Sequence, residues 1–119
     1  MTPIIQIFGF KNCINTNKVL RFFKERAINI QFIDLNEKGI SKGELDNIIR
    51  KFPLEELLDK DGKQFKKRNF KFMTYDIETE LLNDPLLFKT PITRFGPESA
   101  VGYAPVTWKK WADIIMPNC

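Results

Sequence analysis

The chain has 119 residues, 43% of them hydrophobic, and a net charge of +4 from 19 basic and 15 acidic side chains. That length suits one domain with a real core, residues 1–119, and is too short for two comfortable ones. Histidine is absent and cysteine occurs only twice, which excludes Cys–His and Ser–His–Asp catalysis, every His-containing metal site and a disulfide framework.

The stretch MTPIIQIFGF at residues 1–10 lacks the basic start of a signal peptide. No apolar run reaches the roughly 18 residues of a membrane span. A reducing cytoplasm is therefore the expected compartment. Pro3 to Phe10 reads as a buried strand, with Ile4, Ile5, Ile7, Phe8 and Phe10 as β-formers and Gly9 at its end. Asn12 to Ala27 reads as an amphipathic helix, because Val19, Leu20, Phe23 and Ala27 recur at helical spacing and Phe22 widens the face. Ile30 to Leu35 is a second strand between Asn29 and Asn36. Strand, helix, strand in that order implies two parallel strands with a helix packed on one face.

A helical block follows, predicted as an insertion over residues 41–85. Ser41 and Glu44 have capping-box spacing and open a helix to Lys51, with Leu45, Ile48 and Ile49 inward and Pro53 as its stop. Leu54–Leu58 and Phe65–Phe72 read as short helices joined at the turn Asp61-Gly62. Thr74–Asn83 is a further helix, ended by Asp84-Pro85. Ile92–Phe95 and Ala100–Tyr103 then read as a hairpin around Gly96-Pro97. Pro105–Met116 closes the chain as a helix, its two tryptophans read as core and rim. The order βαβ, helices, ββα is the layout of an α/β, thioredoxin-like fold with a mixed four-stranded sheet and an inserted helical subdomain.

Most of the excess positive charge sits in one cluster, Lys60, Lys63, Lys66, Lys67, Arg68 and Lys71, interleaved with Phe65, Phe70 and Phe72. A solvated helix face over an aromatic core side accounts for it. No nucleic-acid motif accompanies it, so no direct nucleic-acid contact is expected.

Cys13 is the candidate reactive group. A thiol is nucleophilic only as thiolate, and a helix N-terminus or a nearby cation favours that form. Cys13 falls at a predicted helix start, Lys11 is near in sequence, and Thr16, three residues on, can offer its hydroxyl or backbone N–H to the sulfur. The alternative is a small apolar residue after a strand. The Cys-x5-Arg phosphatase loop is excluded, since Val19 stands where its arginine is required. Cys119 either resolves a Cys13 intermediate or is a frayed terminal residue after Pro117.

The segment Phe8-Gly-Phe-Lys-Asn12-Cys13 before a helix resembles the start of the ArsC/Spx family, especially its YffB-type thiol reductases. Pro53–Leu58 resembles that family's middle helical block, Leu86–Ile92 its segment ending in proline and isoleucine, and Ala100–Tyr103 its hairpin strand. The resemblance implies a thiol-dependent reductase in which Cys13, assisted by Thr16, forms a covalent intermediate or mixed disulfide. Glutathione, another small thiol or a glutaredoxin-like protein would resolve it, with no tightly bound cofactor and no metal. It also implies that Pro91 is a cis proline beside the cysteine, with Lys11, Asn12, Thr90, Pro91 and Arg94 on the substrate side. Family arsenate reductases hold the oxyanion with three arginines. Those positions fall here near Lys60-Asp61, at Thr90 and at Tyr103, so arsenate is not the expected substrate. The family's Spx-type members bind RNA polymerase, which makes a non-catalytic regulator the alternative. The Spx Cys-x-x-Cys switch has Thr16 in its second cysteine's place.

Overall fold

The computed structural model describes residues 4–68 and 75–116. The first unit is β1 (Ile5–Gly9), α1 (Ile14–Glu25) and β2 (Ile30–Asp34). β1 and β2 pair in parallel from Ile5 opposite Ile30 to Gly9 opposite Asp34, as a helical crossover requires. A helical segment follows, made of α2 (Lys42–Ile49), a 3-10 turn at Leu54–Leu57, α3 (Lys63–Arg68), α4 (Ile77–Asn83) and a second 3-10 turn at Pro85–Leu87. The chain then returns as β3 (Ile92–Phe95) and β4 (Glu98–Val101) and ends in α5 (Pro105–Ile115). β3 runs antiparallel to both β1 and β4, so the mixed sheet has the order β2-β1-β3-β4. This is the thioredoxin-like α/β arrangement that the element order implies.

The period of two along β1 divides the core between the two faces of the sheet. Ile5 and Ile7 point to one face and join Val19, Phe23, Ala100, Trp108 and Trp111, all buried, from α1, β4 and α5. Phe8 points to the other face and joins Leu45, Ile48, Leu57, Leu81, Phe88 and Ile92, so the helical segment covers that side. The segment is tied together by Lys42 to Glu78 at 2.8 Å, between α2 and α4, and by Arg68 to Glu80 and Asp84 at 3.0 and 2.8 Å, between α3 and α4. The Ser41 capping box is present, with the Glu44 N–H on Ser41 Oγ and the Ser41 N–H on the Glu44 carboxylate. No helix among the described residues is long and apolar enough to cross a membrane.

Several boundaries differ from the sequence expectation for identifiable reasons. α1 starts at Ile14, two residues late, because Cys13 takes the N-cap in extended conformation (φ −87°, ψ 122°). It ends at Glu25, because Ala27 adopts left-handed φ of 57°. There the Ala27 N–H donates to the Lys24 carbonyl and the Ile28 N–H to the Phe23 carbonyl, the paired closure of a Schellman motif. Ala27 is therefore exposed beyond the helix. β4 starts at Glu98 instead of Ala100, because a two-residue turn sets Glu98 directly opposite Phe95. It ends before Tyr103, because Gly102 turns away with φ of 74° while its N–H donates to the Pro91 carbonyl at 2.7 Å. α4 starts at Ile77, capped by Asp76. In the basic cluster Lys66 and Lys67 are exposed, while Phe65 packs against the core under the helical segment. Thr74, Phe70, Lys71 and Phe72 of the expected helices, Pro3 of the first strand, and Cys119 lie outside the described residues.

Candidate active site

Cys13 stands where the chain leaves the sheet. β1 ends at Gly9, a turn closes with the Cys13 N–H donating to the Phe10 carbonyl at 3.0 Å, and α1 begins. As N-cap, its side chain occupies the position from which a capping group faces the first free N–H groups of the helix. Thr90, which precedes the cis bond to Pro91, comes in from the other side. Its hydroxyl donates to Cys13 Sγ at 3.2 Å, and its carbonyl lies 3.9 Å from the same sulfur. Both protonation states thus have a partner, since the thiolate accepts from the hydroxyl and the thiol donates to the carbonyl.

Burial pushes the Cys13 thiol up, but the Thr16 and Thr90 hydroxyls and the Thr16 and Asn15 backbone N–H groups outweigh it. The thiol lies below its ordinary pKa, and its side chain is only half-buried, so reagents reach it. Of these donors, only the Thr90 hydroxyl closes to good hydrogen-bond geometry. Among the described residues the helix N–H groups make no complete capping bond, and buried Thr16 Oγ1, though it acts on the sulfur, stays outside full hydrogen-bond geometry. Thr16 is held where it is by Gly9. A Cβ on Gly9 would fall 2.6 Å from Thr16 Cγ2, so only glycine lets the helix sit this close to the strand.

The remaining expected site residues divide. Asn12 is exposed on the turn beside Cys13. Lys11 has an ion-pair partner of its own. Its ammonium lies 3.9 Å from the Asp34 carboxylate, because the end of β2 runs alongside the end of β1. Arg94 is removed from the site. β3 runs antiparallel to β1, so each step beyond Ile92 retreats from Cys13, and Arg94 stands opposite Gln6. There its guanidinium donates to the Gln6 amide oxygen at 3.3 Å and lines a shallow pocket with Gln31.

A groove that the sequence reading did not identify opens beside the site. Its volume is about 430 Å³, and its lining includes Ile14, Lys18 and Arg21 of α1 together with Tyr103, Pro105 and Trp108. Ile14 directly follows Cys13 and is 73% exposed, and Tyr103 is 56% exposed. The signal was present in the sequence, since Ile14, Lys18 and Arg21 recur at helical spacing. On the outward face of a helix such a stripe is indistinguishable in sequence from an ordinary solvated surface.

No known family profile and no curated protein matches the sequence. Solved structures do match the fold. The YFFB protein is 21% identical, with a TM-score of 0.78 over 89% of this chain and 96% of that one. An ArsC family related protein from Bacteroides fragilis is 20% identical, with a TM-score of 0.77 over 92% of this chain and 97% of that one. An arsenate reductase from Vibrio cholerae is 16% identical, also with a TM-score of 0.77, over 92% of this chain and 98% of that one. With its mixed β2-β1-β3-β4 sheet and, among the described residues, five α-helices, the chain has the thioredoxin-like fold of these ArsC-family structures.

Proposed function

We propose that the protein is a monothiol oxidoreductase in which Cys13 is the nucleophile and an external thiol is the reductant. The observation that carries this reading is the Thr90 hydroxyl donating to a half-buried Cys13 sulfur beside Pro91. A structural cysteine needs neither access nor a donor that favours its thiolate. In the first step the Cys13 thiolate attacks the glutathione sulfur of a glutathionyl mixed disulfide. A Cys13–glutathione disulfide forms and the substrate leaves as thiolate, to be protonated. In the second step a glutathione thiolate attacks that disulfide, releasing glutathione disulfide and the Cys13 thiolate. The substrate thiol is restored and two glutathione moieties end as the disulfide. A glutaredoxin-like protein can supply the second thiol equally well. A reducing cytoplasm is the setting in which this cycle would run.

Thr90 has a second part in this reading. Its backbone N–H has no acceptor among the described residues, so it is free to pair with a carbonyl of an extended substrate. Assay of the purified chain on a glutathione mixed disulfide tests the reading. Glutathione-dependent turnover is expected, with none from Cys13→Ser. Equal turnover by the two proteins would overturn it.

A further inference from the structure

The groove beside Cys13 combines an apolar end with two cations. Its near end is apolar, where Ile14 and Tyr103 stand open to solvent. Tyr103 is braced edge to face on buried Trp108, with ring centroids 5.4 Å apart, so this wall is set before any ligand arrives. Its long side carries Lys18 and Arg21. Neither has a carboxylate partner within ion-pair distance among the described residues. The Lys18 ammonium instead sits over the Tyr103 ring, 4.9 Å from its centroid, which holds the charge in the groove. Glu25 also lines the groove, at its far end. From Ile14 to Arg21 the helix rises about 10 Å, roughly the reach of three extended residues.

We propose that this groove docks the acidic, peptide-like half of the disulfide that Cys13 attacks. The inference rests on the thiol-reductase reading and names its substrate class: short acidic peptide disulfides over neutral or cationic ones. Charge complementarity selects this occupant. Two cations on the helix that starts at the nucleophile, without carboxylate partners among the described residues, raise the local concentration of an anionic disulfide and repel a cationic one. The apolar mouth accepts the stem between the reacting sulfur and the carboxylates.

The experiment compares single-turnover exchange of Cys13 with oxidised glutathione, which is anionic, and with cystamine, which is cationic. Native protein and the Lys18→Gln/Arg21→Gln double variant are measured at one pH and low salt. The native chain should favour the anionic disulfide by about tenfold, the low end of electrostatic focusing. The double variant should bring the ratio to within about twofold, and salt should have the same effect on the native chain. A ratio unchanged by the double substitution would overturn the inference. Iodoacetate and iodoacetamide, one anionic and one neutral, give the same comparison by alkylation. They keep the test decisive if Cys13 exchanges with no disulfide, in which case the reductase reading fails separately. Both substituted side chains are exposed, and unfolding curves matching the native one show that the fold is retained.

Discussion

Replacing Thr90 by valine keeps the shape beside Cys13 and removes only the hydroxyl that donates to the sulfur at 3.2 Å. A hydrogen bond to a charged acceptor is worth about 1.5–3 kcal/mol. A diffuse sulfur acceptor and a half-exposed site put this one at the low end, about a factor of ten in the thiol–thiolate equilibrium. The thiol of Thr90→Val should therefore titrate higher than in the native chain. On the acidic limb of the pH–rate profile the thiolate population falls about tenfold. Each remaining thiolate is more basic and, with a Brønsted slope of about 0.4–0.5, roughly threefold more nucleophilic. Exchange with a small neutral disulfide should thus slow about threefold on the acidic limb and speed up about threefold on the alkaline plateau. This crossing of the two profiles is not produced by a general loss of structure, which lowers both limbs. Thr90→Ser, which keeps the hydroxyl, should follow the native curve. Profiles of Thr90→Val and native protein that superimpose would refute the assignment, as would a native midpoint at or above about 8.5.

Gly9→Ala should destabilise by about 1–3 kcal/mol, since its Cβ meets Thr16 Cγ2 at 2.6 Å. Chemical denaturation of Gly9→Ala, Thr16→Ala and the double variant should show part of the loss recovered in the double. Ala27→Gly should raise stability by about 0.5–1 kcal/mol, because glycine adopts the 57° φ of the α1 terminus without the left-handed penalty; a lower denaturation midpoint would contradict that closure. The Cys13 thiol is held below its ordinary value in the folded chain, so the folded state binds fewer protons than the unfolded state between the two values. Native stability relative to Cys13→Ser should therefore increase as pH rises toward about 8.5 and fade as pH drops through the folded value. A difference that shrinks with rising pH has the wrong sign. Arsenate at millimolar concentration should not protect Cys13 from alkylation, and clear protection would show that the site holds a compact oxyanion.

The sheet was legible because its strands carry strong signals: β-branched runs in β1 and β2, and a two-residue Gly96-Pro97 turn in the hairpin. The place of Cys13 was legible for the same reason, since a strand ending in glycine before an amphipathic helix fixes where the turn must be. Pro91 came from resemblance alone, because no local pattern distinguishes a cis from a trans proline. For Lys11 and Arg94, sequence proximity to a motif carries no direction. Lys11 leans to Asp34 across the parallel pair, and Arg94 is carried away by the antiparallel run of β3. The helix ends were the least legible, because they are set by backbone conformations such as that of Ala27, at a residue type that seldom adopts them. The groove needs Tyr103 and α1 together, a contact between residues distant in sequence that periodicity cannot reveal.

The positions at which the sequence resemblance leads one to expect arginine bear on what kind of electrophile the proposed site would take. At Thr90 a neutral hydroxyl points at the sulfur, so it favours the thiolate but brings no charge to a bound anion. Tyr103 forms part of an aromatic wall instead of a guanidinium fork. A tetrahedral oxyanion attacked by Cys13 would need donors about 2.7–2.9 Å from its oxygens. Lys11 is turned toward Asp34 and Arg94 toward Gln6. The cations that line the groove, Lys18 and Arg21, stand on α1 beyond Cys13, with Arg21 about 12 Å along the helix axis. Charge at that distance cannot clamp a compact oxyanion, but it can hold the far end of a longer molecule whose near end reaches the sulfur. A neutral donor thus stands at the Cys13 sulfur and cations stand at a distance along α1. In the proposed cycle that division favours an extended anionic disulfide, with selectivity set along α1 and reactivity set at Thr90.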